Sequence, residues 1–177
     1  MKITLKDGSV KEYAESKAVL EIAADISEGL ARAACAGEVN GEVVDLRTVV
    51  EEDAELNILT ANDEAGLSTL RHTASHILAE AVKRLYPEAK LAIGPSIEDL
   101  EKIEKEMKKI IKENAKIERF ELPREEAIAF MEEKGEPYKV ELIQDLPEDA
   151  VISFYRQGEF VDLCAGPHLM STKSVKA

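Results

Sequence analysis

The chain has 177 residues, of which 45% are hydrophobic and 33% charged, so it is long enough to bury a core and is not typical of disordered proteins. Its formal net charge of −13 argues against strong nonspecific binding to nucleic acid, because such binding relies on lysine and arginine side chains that neutralise phosphates. No apolar run approaches the roughly 18–20 residues that span a bilayer, and the N-terminus lacks a signal-peptide pattern. We therefore expect a cytoplasmic protein with no membrane partner.

The first 61 residues predict a small mixed domain. Asp7-Gly8 and Asn40-Gly41 each separate two strand-like runs and predict tight hairpin turns. The segment SKAVLEIAADIS has apolar residues at helical spacing, with Ser16 as its candidate N-cap. The run AELNILT predicts a last strand. A hairpin, a helix and further strands in this order predict a ubiquitin-like β-grasp fold for residues 1–61, a kind of module that usually docks rather than catalyses.

Residues 62–177 predict a second domain of the α+β class, in which helices cover an antiparallel sheet. The polar residues 61–66 are a candidate linker. A long amphipathic helix is expected from about Ser68 to Leu85, where Tyr86-Pro87 stops it. Two more helices are expected, in EDLEKIEKEMKKIIKENAKI and from Pro123 to about Lys134.

Strand-like runs complete the second domain. They lie in KLAIGPSI, IERFELP, YKVELIQDL and VISFYRQGEFVDLCAG. The dipeptide Gln157-Gly158 interrupts the last of these and predicts an antiparallel hairpin. We see no internal repeat and no low-complexity tract.

All three histidines of the chain fall into two spaced pairs. His72 and His76 lie four residues apart in the first long helix, so both imidazoles can point at one small volume. Cys164 and His168 have the same spacing, but Gly166-Pro167 between them predicts a tight turn. A lone histidine pair is more often two unrelated polar residues. Three imidazoles and one thiolate together are a set suited to Zn²⁺, or to holding a water for hydrolysis.

Other chemistries fit these residues less well. A zincin protease needs a glutamate directly after the first histidine, whereas Thr73, Ala74 and Ser75 separate this pair. A closed structural zinc site would normally use more sulfur. A nucleophilic Cys164 would need an orienting third group that the sequence does not reveal, and a Ser75-histidine arrangement rests on adjacency alone. A metal site and a metal-free hydrolytic site therefore both stay open at this point.

The motifs RHTASHILAEAV and FVDLCAGPHL resemble the editing domain of bacterial threonyl-tRNA synthetases, which alanyl-tRNA synthetases share in weaker form. Residues 1–61 resemble the TGS-type β-grasp domain that precedes it. The resemblance implies an N-terminal part of such an enzyme, without the domains that use ATP and Mg²⁺ to activate threonine and that would make the full enzyme a homodimer. In that family an aromatic segment follows the equivalent of IGPSIED, whereas here Asp99 runs straight into a helix.

The resemblance further implies hydrolysis of the ester in tRNA(Thr) wrongly charged with serine. The implied catalytic residues are His72, His76, Cys164 and His168, which would also be the ligands if zinc were bound, although the resemblance favours a reaction that requires no cofactor. Asp162 precedes Cys164 by two residues and would bind the substrate ammonium from the same strand face. Lys139 resembles a family position that contacts the nucleotide or the developing charge.

Two rival functions stay open. A noncatalytic, zinc-stapled module would only dock RNA or protein. A free-standing alanyl-type editor would act on alanyl-tRNA acceptors charged with serine, although the β-grasp N-terminus argues against it. If the partner is tRNA, a local basic track is expected to guide its acceptor end, formed by Lys83, Arg84, Lys90, Lys139, Arg156 and Lys173.

Overall fold

The computed structural model describes residues 1–89 and 100–175. These residues divide into two compact units, one formed by Met1–Thr73 with Gly166–Met170 and the other by the remaining described residues. The strand expected in KLAIGPSI and the departure at Asp99 lie outside the described residues. No helix in the described ranges has the length and apolar character needed to cross a membrane. The domain boundary after residue 61 stays a prediction.

A mixed sheet of five strands forms the body of the first unit within the described chain. The strands are β1 (Lys2–Leu5), β2 (Val10–Glu12), β4 (Ala34–Val39), β5 (Glu42–Val44) and β7 (Ala54–Thr60). Their order is β2-β1-β7-β4-β5, and β1 runs parallel to β7 while the other neighbours are antiparallel. Two short strands, β3 (Lys17–Ala18) and β6 (Val49–Val50), pair separately. Both predicted turns are confirmed, with Gly8 and Gly41 at φ values of 82° and 86°.

Helix α1 (Val19–Ile26) packs its apolar face into the core of this unit. It begins after the predicted N-cap, and Ser16 does not cap it, because Lys17 and Ala18 are taken up in strand β3. The Glu21 carboxylate caps the helix instead, accepting the Ala18 backbone N–H at 2.8 Å. The core around the helix consists of Ile3, Val19, Ile22, Ala34, Leu46, Val50, Ala54 and Leu56. The short helix α2 (Glu28–Ala33) follows, capped by the Ser27 side chain.

The long helix α3 spans Glu64–Leu85 and ends before Pro87, as predicted. It begins earlier than the predicted start near Ser68, so the linker is shorter than 61–66. The Asp63 carboxylate turns back and accepts the Thr60 backbone N–H at 2.8 Å, which lowers the pKa of Asp63. The Asp63 carbonyl accepts the Leu67 backbone N–H, also at 2.8 Å. Asp63 therefore links the end of β7, through its side chain, to the first turn of the helix, through its carbonyl.

The second unit contains a three-stranded antiparallel sheet in its described part. Its strands are β8 (Ile117–Glu121), β9 (Ser153–Gln157) and β10 (Phe160–Leu163), in the order β10-β9-β8. Helices α4 (Leu100–Glu113), α5 (Arg124–Glu133) and α6 (Pro137–Asp145) accompany the sheet, with a short 3-10 helix at Thr172–Ser174. Gly158, at φ 60°, makes the predicted turn between β9 and β10. The predicted α+β class, with an antiparallel sheet covered by helices, is confirmed.

Helix α6 corrects one prediction, because YKVELIQDL was expected to be a strand. Pro137 opens the helix in its first turn, a position that proline favours. The apolar residues Val140 and Ile143, three apart, face the core, where Ile143 is fully buried. Phe120 and Phe154 of the sheet stack in the same core, with ring centroids 5.3 Å apart. A helical period therefore explains this segment better than the alternation of a strand, and it puts Lys139 on a helix.

Gly66 fixes the approach of helix α3 to the end of β7. A Cβ atom at residue 66 would lie 1.9 Å from the Thr60 carbonyl oxygen, so the backbone would have to shift. We expect Gly66→Ala to lower the free energy of unfolding by about 1–3 kcal/mol, measured by urea denaturation.

Gly29→Ala in helix α2 is the matched control, because a Cβ there meets only the Ser27 Oγ atom at 3.8 Å. This control should be neutral or should raise the free energy of unfolding by up to about 1 kcal/mol. Equal effects of the two substitutions would contradict the steric role of Gly66.

Candidate functional site

Two pieces of chain carry the predicted site residues, helix α3 and the segment that follows β10. One ring nitrogen each of His72, His76 and His168 and the Cys164 Sγ atom all lie within 4.8 Å of one another. His76 and His168 are buried, while His72 and Cys164 are partly exposed. The two predicted pairs therefore converge on one small volume. Their chemical roles stay a prediction.

His168 is held by helix α3 through the threonine that follows His72. The Thr73 Oγ atom lies 3.2 Å from the His168 Nδ1 atom and accepts the Leu169 backbone N–H at 3.0 Å. Thr73 and His168 have no exposed surface. The His72 and His168 rings are tilted by 36° to each other, with centroids 4.2 Å apart. The buried ring of His168 is thus fixed in position against its neighbour.

An ion pair within the first unit also binds the backbone of His168 and Leu169. The Arg47 guanidinium donates to the carbonyl oxygens of His168 and Leu169, at 3.3 and 3.2 Å. The Asp45 carboxylate accepts the His168 backbone N–H at 3.3 Å and pairs with Arg47 at 2.9 Å. Both charged side chains are largely buried. Charge-assisted bonds of this kind are among the stronger hydrogen bonds in proteins, so they anchor the turn.

The other end of the histidine pair is fixed to the sheet. The Gln157 side chain on β9 donates to the His76 carbonyl at 3.4 Å and also to the Glu80 carboxylate. Burial raises the pKa of Glu80, and the hydrogen bonds from Gln157 and Arg84 oppose that rise. Arg84 also forms two bonds to Glu113, both at 2.7 Å, which raise the pKa of its guanidinium. These contacts tie the second half of helix α3 to its surroundings.

Asp162 and Lys139, the two predicted substrate-binding residues, contact each other. The Lys139 Nζ atom lies 2.8 Å from one Asp162 carboxylate oxygen, and the other oxygen lies 3.8 Å from the His76 Nε2 atom. Both side chains are more than four-fifths buried, at 19% and 14% exposure. They line a cleft of about 240 Å³ together with Phe160, whose ring meets that of His76 edge-on. The cleft therefore has a carboxylate and an ammonium beside His76.

Cys164 continues the pairing of β10 with β9. Its backbone N–H donates to the Ser153 carbonyl at 3.0 Å, and its own carbonyl accepts the Ser153 hydroxyl at 2.7 Å. These bonds keep the chain extended up to the thiol. The other cysteine, Cys35, is buried in strand β4, and burial raises the pKa of its thiol.

The predicted basic track carries less free charge than its sequence suggests. Lys83 pairs with Glu136 at 2.5 Å, Arg84 with Glu113 at 2.7 Å, and Lys139 with Asp162 at 2.8 Å. Lys90 lies outside the described residues. A cation that is already paired contributes less to phosphate binding, because its own partner must first be displaced.

Two family profiles match the chain. Residues 1–60 match the TGS domain, and residues 152–177 match the second additional domain of threonyl and alanyl tRNA synthetases. The fold and these matches make the chain similar to the class of proteins that joins a TGS domain to this second additional domain.

Within that class, the chain is similar over its whole length to bacterial threonine–tRNA ligases. It is 65% identical to the enzyme of Acetivibrio thermocellus and 58% identical to that of Clostridioides difficile, covering 100% of this chain and 30% of each relative. The Clostridium acetobutylicum enzyme is 60% identical over 99% of this chain and 30% of the relative. The predicted resemblance to the N-terminal region of these enzymes is confirmed, and the chain spans less than a third of their length.

Sequence reasoning missed residues that hold the cluster rather than form it. For Thr73 a signal existed, since Thr69 and Thr73 are polar residues four apart on the buried side of helix α3. For Asp45, Arg47 and Gln157 the sequence offered none, because each acts across a large separation in the chain.

The anchoring role of Arg47 is tested by amide hydrogen exchange. Hydrogen bonds from a charged donor contribute about 1.5–3 kcal/mol each, so we expect Arg47→Met to speed exchange at His168 and Leu169 by at least about tenfold. Arg124→Met is the control, because Arg124 likewise donates to backbone carbonyls, those of Ile143, Leu146 and Pro147. Unchanged exchange at both amides in Arg47→Met would contradict the anchoring role.

Proposed function

We propose that this chain hydrolyses the ester bond of tRNA(Thr) that has been wrongly charged with serine. The observation that carries the proposal is the convergence of His72, His76, Cys164 and His168, whose ligand atoms lie within 4.8 Å of one another. The match to the second additional domain of threonyl and alanyl tRNA synthetases supports it. So does the close similarity to threonine–tRNA ligases.

The need for such a reaction follows from the chemistry of the two amino acids. Serine lacks only the methyl group of threonine, and a missing group of that size is worth about 1–3 kcal/mol of discrimination. A synthesis site that relies on binding alone would therefore charge serine at an appreciable rate. A second site that admits serine and excludes the extra methyl removes the error by hydrolysis.

The proposed reaction uses a water molecule activated by neutral imidazole. A ring nitrogen of the His72–His76 pair takes a proton from the water, and the water oxygen bonds to the ester carbonyl carbon. The bond from that carbon to the ribose oxygen then breaks, and the ribose oxygen takes the proton back from the imidazolium. Serine and uncharged tRNA leave. Neutral imidazole suits this role because its ordinary pKa lies near the working pH.

Asp162 and Lys139 supply charge beside this reaction. In the proposal the Asp162 oxygen that faces His76 receives the ammonium of the seryl group, while the other oxygen stays paired with Lys139. The Lys139 ammonium keeps the carboxylate oriented and offsets its charge when no substrate is bound. It also provides a positive charge near the negative charge that develops on the carbonyl oxygen.

The same four residues fit the donor types of a zinc site, but the reaction is proposed to require no metal. Bound zinc would polarise the ester or activate the water. With zinc–ligand bonds of about 2.0–2.3 Å, tetrahedral ligand atoms lie about 3.3–3.8 Å apart. The ligand atoms of this cluster lie within 4.8 Å of one another, a spacing compatible with a zinc ion and equally with a water held between the side chains.

The partner of the chain is proposed to be the acceptor end of tRNA. The formal net charge of −13 and the paired state of Lys83, Arg84 and Lys139 predict that this chain binds tRNA weakly by itself. In the longer relatives, most of the affinity would then come from the parts that this chain does not cover. A cytoplasmic location follows from the same proposal, since protein synthesis uses tRNA there.

The direct test measures release of serine from seryl-tRNA(Thr) and of threonine from threonyl-tRNA(Thr). We expect release of serine alone, and a loss of at least about a hundredfold in rate for His76→Ala, as is typical when a general base is removed. Cys164→Ala should slow the reaction, whereas Cys35→Ala is the control and should not. Release from neither substrate would instead indicate a docking module. Release of serine from tRNA(Ala) charged with serine would indicate an alanyl-type editor.

The metal question has its own readout in the same assay. Chelator-treated protein with far less than one zinc per chain should keep its rate of serine release. A rate that falls with zinc content and returns when zinc is added would contradict the metal-free part of the proposal.

A further inference from the structure

The hydroxyl of Thr73 has three polar neighbours in a fully buried position. Its oxygen lies 3.1 Å from the Thr69 carbonyl oxygen, 3.0 Å from the Leu169 backbone nitrogen and 3.2 Å from the His168 Nδ1 atom. A hydroxyl has one proton to donate and two lone pairs that accept. Three partners are therefore the most that it can satisfy in this geometry.

The chemistry of the other two neighbours decides what His168 must do. A carbonyl oxygen only accepts, so the bond to Thr69 uses the single hydroxyl proton. A backbone N–H only donates, so the bond from Leu169 uses one lone pair. The remaining lone pair faces the Nδ1 atom of His168. All three bonds form together only if that nitrogen carries a proton.

The opposite tautomer satisfies fewer bonds. If Nδ1 were unprotonated, the hydroxyl proton would have to leave Thr69 and turn to the ring, so two bonds would remain instead of three. A half-turn of the ring would put a carbon atom against the hydroxyl and lose the bond altogether. The backbone N–H bonds of His168 to Asp45 and of Leu169 to Thr73 hold this part of the chain in place beside the hydroxyl.

We infer that Thr73 is a positioning residue that fixes neutral His168 in the tautomer with its proton on Nδ1. Its Nε2 atom then carries a lone pair, which can accept a hydrogen bond from the substrate water. The catalytic role of that lone pair rests on the proposed hydrolysis, but the tautomer itself does not. Histidines that act through one ring nitrogen commonly have the other nitrogen held by such a partner.

The test is a nitrogen NMR spectrum of protein labelled at histidine. The chain has only three histidines, so each ring can be assigned by comparison with His72→Gln and His76→Gln. The spectrum is recorded at about pH 8, where an ordinary imidazole is neutral. We expect the His168 ring to be protonated at Nδ1 in the wild-type protein and in Thr73→Ser, which keeps the hydroxyl. In Thr73→Val, which has the same shape without it, we expect a mixture of tautomers.

The rate of serine release provides the second readout. We expect a loss of about tenfold to a hundredfold in Thr73→Val, as for other residues that orient a functional histidine, and a rate near wild type in Thr73→Ser. Thr69→Val is the matched control. The Thr69 hydroxyl donates to the Ala65 carbonyl of its own helix at 3.0 Å, and this is its only hydrogen bond among the described residues. This substitution should change neither the tautomer nor the rate.

The outcomes separate this inference from the proposed function. Protonation of His168 at Nε2 in the wild-type protein would overturn the inference, even if serine is released. A pure Nδ1–H tautomer in Thr73→Val would overturn it as well. A wild-type protein with the expected tautomer but no serine release would support the role of Thr73 in fixing the ring and would refute the hydrolysis.

Discussion

The period of helix α3 decides which side chains reach the site. Residues four apart lie in one row along a helix, and one such row consists of His72, His76, Glu80 and Arg84. The neighbouring row consists of Thr69, Thr73, Ile77 and Ala81, which are all buried. A single helix thus presents a polar row beside a core-facing row. Because both rows belong to one helix, Thr73 has a fixed position relative to His72 and His76. The bond from Thr73 to His168 therefore also sets where His168 lies relative to the two histidines of the helix.

Burial of His76 and Glu80 makes these two polar groups of the row costly unless each finds a partner. Glu80 is almost fully buried and is satisfied by Gln157 and Arg84, and Arg84 is satisfied in turn by Glu113. In the same way, the backbone N–H and carbonyl groups of His168 find partners in Asp45 and Arg47. The side chains proposed to act on the ester are therefore held by neighbours that take no part in the chemistry, as preorganisation requires.

The sequence predicted most elements because their signals are local. Turns at Gly8, Gly41 and Gly158 require a backbone that glycine supplies, and the long helices repeat their apolar residues at the right period. Helix α6 was mistaken for a strand because its nine residues are too few to separate the two periods. Of the site, the quartet was predictable from two pairs at equal spacing. The hydrogen bonds of Asp45 and Arg47 to the His168 backbone were not predictable, because no local sequence pattern indicates a contact between residues more than a hundred positions apart.

The most direct test of the central claim is a titration that follows the three histidine rings by NMR. The ligand is serine joined by a stable amide to the amino analogue of the terminal adenosine of tRNA, and its threonine counterpart is the control. Because every histidine of the chain belongs to the cluster, the spectrum reports on this site alone. The account predicts that all three rings shift together with the serine compound and respond far less to the threonine compound. Rings that do not respond to the serine compound at saturating concentration would contradict it.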